Sequence, residues 1–200
     1  MRSRVALLSA LLLLAVPGFA VSKVEVEDLA HHPLAADFPA GGQLRLHIRS
    51  GEIHIVGSDE NKITVHVGGK RGEDSTDMRA HFESSDNSGD LRVTGGPSND
   101  VTITVQVPRN SNLRVRVFAG EVEVKDVTGD KDVVLNAGDL NIVVGSAADY
   151  AHVEASVTTG SIDASAFGGS RDGLFRSFQK SGNGKYRLVA HVGAGDLTLK

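Results

Sequence analysis

Cysteine and tryptophan are absent from the 200 residues, and tyrosine occurs only twice. Without cysteine no disulfide holds the fold and no thiolate binds a metal, so stability rests on burial and backbone hydrogen bonding. With so few flat side chains the sequence also has little with which to line a sugar-cleaving cleft. A basic excess is missing too: 21 Lys and Arg stand against 25 Asp and Glu. That balance argues against nucleic acid as a partner.

Long apolar runs are confined to the first twenty residues. There Arg2 and Arg4 precede the apolar stretch from Val5 to Val16, and Pro17-Gly18-Phe19-Ala20 ends in the small residues that a signal peptidase reads. About twelve apolar residues fall short of the roughly twenty that cross a bilayer. The expectation is a cleaved signal peptide at 1–20, no membrane span after cleavage, and an exported protein, periplasmic or extracellular, that begins at Val21. Loss of Arg2 and Arg4 leaves 19 bases against 25 acids, a net charge of −6.

Sustained helical spacing is also lacking beyond the leader, and alternation takes its place. Leu44, Leu46 and Ile48 point one way while Arg45, His47 and Arg49 point the other; Val101, Ile103, Val105 and Val107 repeat the pattern. One phrase recurs, as in Ser50-Gly51-Glu52-Ile53-His54-Ile55, with further copies at Gly89, Gly120, Gly138, Gly160 and Gly195. Each is a small residue, a glycine, a polar and usually acidic residue, then apolar, polar, apolar. Glycine tolerates positive φ and strand side chains alternate between faces, so the phrase reads as a corner that opens into a strand. Between Gly120 and Gly160 the spacings are short, too short for one repeat to bury its own apolar face, so successive repeats must stack.

The expected architecture is therefore an all-β, single-domain β-solenoid, β-helix-like, built from short repeated strands with Gly-Asp corners. Residues 21–40 read as a lead-in arm and 41–200 as the repeat domain. Residues 68–89, whose alternating core candidates are Met78, Ala80 and Phe82, read either as a loop or as strands. The 35-residue interval between Gly160 and Gly195 carries a capping insertion at 167–185, with Leu174, Phe175 and Phe178 expected to cover the open end of the core.

The repeated phrase resembles a known family when taken with three further features. These are Phe38-Pro39-Ala40-Gly41-Gly42-Gln43-Leu44, the strand end Val107-Pro108, and the close from Gly184-Lys185-Tyr186-Arg187-Leu188 to Gly195-Asp196-Leu197-Thr198-Leu199. The family is the bacterial adhesin-type proteins of the domain-of-unknown-function 4097 kind, and the resemblance spans residues 38 to 200. It implies a β-strand-repeat domain of the cell envelope and transfers no catalytic residues.

Candidate chemistry is sparse. His47, His54 and His66 lie on polar faces of neighbouring strands with Glu52 close by, the residue types of a transition-metal site, but a solvated strand face is the plainer account of them. The Gly-Asp phrases bear on calcium β-rolls, but one acid per corner supplies too few of the six to eight oxygens that calcium takes. Glu121, Glu123, Asp139, Asp163 and Asp196 are candidates for a carboxylate pair on one face, which makes a carbohydrate-active β-helix enzyme the alternative function. An acid beside glycine also caps a turn through its own backbone, and no Gly-x-Ser-x-Gly elbow or phosphate loop accompanies these acids. The reading is a non-enzymatic, adhesin-like scaffold or interaction module without cofactor or metal, whose partner is an envelope or surface protein or polysaccharide.

Overall fold

A computed structural model describes residues 21–70, 76–97 and 100–200, so the leader at 1–20 and part of the 68–89 segment lie outside the described residues. Five long segments share one template about a glycine. Apolar residues occupy the positions five and three before it and two and four after it in all five, and the position seven before it in four, as Leu44, Leu46, Ile48, Ile53 and Ile55 do about Gly51, all buried. From Ile48 to Ile53 is an odd number of residues, so a straight strand would send the second half to the opposite face. Positive φ at Gly51, Gly120, Gly138, Gly160 and Gly195 bends the chain there, and both arms turn their apolar side chains to one interior.

The strands are β1 (Val21–Val26), β2 (Leu34–Asp37), β3 (Gln43–Ser58), β4 (Lys62–Gly68), β5 (Arg79–Ser85), β6 (Ser88–Thr94) and β7 (Thr102–Pro108). They continue with β8 (Asn112–Lys125), β9 (Lys131–Ile142), β10 (Tyr150–Ala164), β11 (Gly169–Ser181), β12 (Tyr186–Ala194) and β13 (Leu197–Leu199). β3, β8 and β9 pair in parallel along both arms, with Gly51 opposite Gly120 and Gly120 opposite Gly138. β12 and β13 are the two arms of the next rung, parallel to β9 on one side and to β10 on the other. On the far side of β3 the arms continue as β6 and β7. The fold is all-β and a single domain. Among the described residues no helix is long and apolar enough to cross a membrane.

The structure corrects the expectation of coils stacked in sequence order. β12 and β13 come after β10 and β11 in the chain yet lie between β9 and β10, and β9, β12, β10 and β13 close a four-strand pairing circuit. Glycine spacing reports the length of a rung and carries no information on which rung it joins.

The corner reading of Gly89 is also corrected. Gly89 lies within β6 opposite Leu44, and a Cβ there would collide with the rings of Phe38 and Phe82. Its lack of a side chain makes room for that aromatic pair, whose rings meet edge to face at 6.1 Å.

Both ends of the stack are closed by antiparallel strands. At one end β5 pairs β6 and β1 pairs β5, while β4 pairs β7 and β2 pairs β4. The lead-in arm thus supplies two strands, and its Leu29, Leu34 and Phe38 are buried in the core. The segment from 79 to 94 is a strand hairpin, β5 to β6.

At the other end β11 pairs β10 along both arms. The expected cap is corrected here in part: Phe178 is buried, but Leu174 and Phe175 are 61% and 81% exposed. The pairing explains the difference. Phe178 lies opposite inward-facing Ala155, whereas Leu174 lies opposite Thr159 beside the corner. Arg176 and Lys180 oppose Val157 and Val153, so this edge carries inward-phase charge, a device that discourages edge-to-edge pairing. Lys180 Nζ donates to the Phe167 carbonyl at 2.8 Å. Phe178→Ser is expected to cost roughly 1.5 to 3 kcal/mol, whereas Phe175→Ser leaves the thermal midpoint unchanged. Equal shifts for the two variants would contradict this placement.

Candidate interaction faces

Because the core takes every second residue of each arm, the residues between them form two outer faces, one per sheet. The second arms begin with an acidic row. Glu52, Glu121 and Asp139 are opposite one another on β3, β8 and β9, and Asp196 follows at the same level before β13. Asp139 Oδ1 accepts the backbone N–H of Asp196 at 3.1 Å. Asp196 Oδ1 accepts the Ser161 N–H at 2.9 Å and the Ser161 hydroxyl at 2.7 Å. These acids therefore tie rung to rung, where the sequence suggested turns closed on their own backbone.

The Ser161 bonds hold the Asp196 carboxyl below the usual carboxylate range. The Thr102 hydroxyl, donating at 3.0 Å, and then His54 do the same for Glu52. Such bonds favour the ionised form. Glu123 and Asp163 lie one step along, separated by Asn141 and Thr198. The five acids singled out in the sequence thus share one sheet face, where Glu121, Asp139 and Asp196 line one depression.

The three histidines are not brought together. His47 lies before the Gly51 corner and His54 after it, so they decorate different sheets. His66 shares a sheet with His54, but Thr104 of β7 stands between them. His54 bridges two carboxylates, with Nε2 at 3.0 Å from Glu52 Oε1 and Nδ1 at 3.2 Å from Glu123 Oε2. His47 Nε2 lies 3.9 Å from Asp90. Among the described residues no group of three or more His, Asp or Glu is placed to hold a metal ion.

The first arms present the opposite charge. Arg92 of β6, His47 of β3 and Arg116 of β8 are opposite one another in a transverse row, with His81 of β5 beyond Arg92. Arg49 and Phe118 follow two residues further along β3 and β8. Phe118 is 64% exposed. Arg92 pairs with Asp90 at 3.0 Å and Arg116 with Asp132 at 3.0 Å. Neighbouring strands are about 4.8 Å apart, which sets the pitch of the row.

One chemical feature escaped the sequence reading. Lys131 occupies the position seven before Gly138, where the other rungs hold Leu44, Leu113, Val153 and Leu188, and it is 1% exposed. Its Nζ donates to the Gly129 carbonyl at 3.1 Å and to Tyr150 Oη at 2.9 Å, and lies 5.2 Å from the centre of the Tyr150 ring. Burial lowers its pKa to about 8, against the opposing pull of Asp130 and Asp149. Burial also raises the Tyr150 phenol to about 12. Aligning the rungs on their glycines would have exposed this lysine in an apolar column.

No protein-family model and no curated protein matches the chain. Among solved structures it is similar to a "putative cell adhesion protein" from Clostridium sporogenes, at 13% identity and a TM-score of 0.51, covering 84% of this chain and 99% of that one. A "putative adhesin" from Bacteroides fragilis aligns at 8% identity and a TM-score of 0.34 over 92% of this chain and 99% of that one, a likeness too slight to carry an argument. At its low identity, the first shows that the β fold is shared.

Proposed function

We propose that this chain is a non-enzymatic, exported interaction module of the bacterial envelope, adhesin-like in role and of the domain-of-unknown-function 4097 kind. The observation that carries the reading is the unequal charge of the two open sheet faces: Glu52, Glu121, Asp139 and Asp196 form an acidic row on the second arms, while Arg92, His47 and Arg116 form a basic row on the first, with Asp90 and Asp132 one row behind. Stacked rungs hold such rows at fixed pitch without the entropy cost of ordering loops, which suits recognition over a broad surface. The acids favour this reading over a sugar-cleaving enzyme: they project from one sheet face, and the row from Asp139 to Ser161 is engaged in rung-to-rung bonds. The fold shared with a protein named for cell adhesion supports it.

Labelled protein comprising residues 21–200, mixed with isolated cell envelopes and sedimented, is expected to show saturable retention that heat-unfolded protein lacks. Absence of retention, or turnover of a glycan substrate, would overturn the proposal.

A further inference from the structure

The chain is acidic overall, with a net charge of −4, yet the rows on the outer face of the first sheet run the other way. Between β6 and β8 the two rows nearest the corner hold Arg92, His47, Arg116, Arg49 and Phe118, with Thr94 beside Arg49, and no carboxylate. The nearest acids, Asp90 and Asp132, sit one row back and pair with Arg92, Arg114 and Arg116. Arg49 has no ion pair among the described residues. Arg92, His47, Arg49, Arg116 and Phe118 line one shallow depression.

Resting on the interaction-module reading, we propose that this depression binds a linear acidic polysaccharide, its carboxylate or sulfate groups on the arginines and one sugar ring against Phe118. The geometry favours that occupant for three reasons. A planar guanidinium engages carboxylate or sulfate through two parallel N–H bonds, and a transverse row at strand pitch presents such groups repeatedly to an extended chain. The depression holds one exposed phenyl ring and so one stacking surface, where single-stranded nucleic acid calls for a series of them. A second copy of this chain would have to offer its acidic row, but Glu52, Asp139 and Asp196 already accept hydrogen bonds within their own fold, which leaves Glu121 alone of that row unengaged among the described residues.

The test measures binding of residues 21–200 to polygalacturonate (carboxylate), heparin (sulfate) and neutral dextran by biolayer interferometry. Saturable binding to one or both polyanions and none to dextran is expected, weakening as salt rises from about 50 to about 300 mM, since exposed charge pairs are screened. The relative strength of the two polyanion arms identifies the anionic group. Arg49→Glu is expected to weaken binding about tenfold, the size of one lost charge contact, and the triple variant Arg49→Glu, Arg92→Glu, Arg116→Glu to abolish it. Glu121→Lys on the other sheet leaves it unchanged.

Because Arg116 also donates to backbone carbonyls, thermal melts accompany every variant, and Arg49→Glu alone tests the proposal if the triple variant fails to fold. Equal binding by Arg49→Glu and the parent, tighter binding to single-stranded oligonucleotide than to either glycan, or self-association in place of glycan binding would overturn the inference. Envelope retention that survives in the triple variant would overturn it too, while leaving the interaction-module reading intact. Loss of both glycan and envelope binding by the parent would sink both.

Discussion

Gly138→Val is expected to lower stability by about 4 kcal/mol or more, among the largest losses a single substitution causes. Two costs combine. At φ +121° a β-branched residue is strained by roughly 1 to 3 kcal/mol, and its Cβ would fall inside van der Waals contact of the Gly120 carbonyl oxygen. The same conflict recurs up the column, Gly120 against Gly51, Gly195 against Gly138 and Gly160 against Gly195, so no neighbour can move aside without disturbing the next. Gly145→Ala separates the terms. Its φ is +71° but nothing lies within 4 Å of the added carbon, so only the backbone term applies, about 1 to 2 kcal/mol. Equilibrium urea unfolding reads both, and a Gly138→Val midpoint close to that of Gly145→Ala would refute the steric column.

Lys131 yields a pH dependence of unusual sign. Its pKa is near 8 in the folded protein and 10.5 in the unfolded chain, so between those values the unfolded state holds the extra proton and stability rises with pH. The full cost of burying the cation, on the order of 3 kcal/mol, is present at pH 7 and relieved as the lysine deprotonates. Lys131→Met keeps the volume of the stem and removes the charge. It is expected to be more stable than the parent at pH 7 by about 1 to 3 kcal/mol, less whatever the unpaired Gly129 carbonyl costs. That advantage shrinks as pH rises from about 8 to about 10.5. Thermal melts of the two proteins across pH 7 to 10.5 decide the matter. Parallel curves would show that Lys131 keeps an ordinary pKa in the fold.

What the residues disclosed and what they withheld follows from the range of each interaction. Alternation and the glycine phrase are local, and they sufficed for the strands of the two arms and their bends. The same phrase at Gly89 misled, because a glycine that yields space to Phe38 and Phe82 reads no differently from one that turns a corner. His47 and His54 looked like neighbours for a related reason: the bend at Gly51 that parts them is invisible to a count of polar positions. The basic depression lay further out of reach. Arg92, His47 and Arg116 are scattered over three strands, and only the register of β6, β3 and β8 makes them adjacent. Lys131 was legible in principle, since five rungs aligned on their glycines show one cation in an apolar column.

The insertion of β12 and β13 between β9 and β10 governs the order in which this chain can acquire its structure. Until residues 186 to 199 are present, β9 and β10 each keep a bare edge toward the missing rung, and no contact local in sequence can close that gap. Loop closure over such separations precedes any reward from pairing, so the topology belongs to the high-contact-order, slowly folding class. A chain threaded through an export channel from its amino end would hold that half of the stack open until its final rung had emerged.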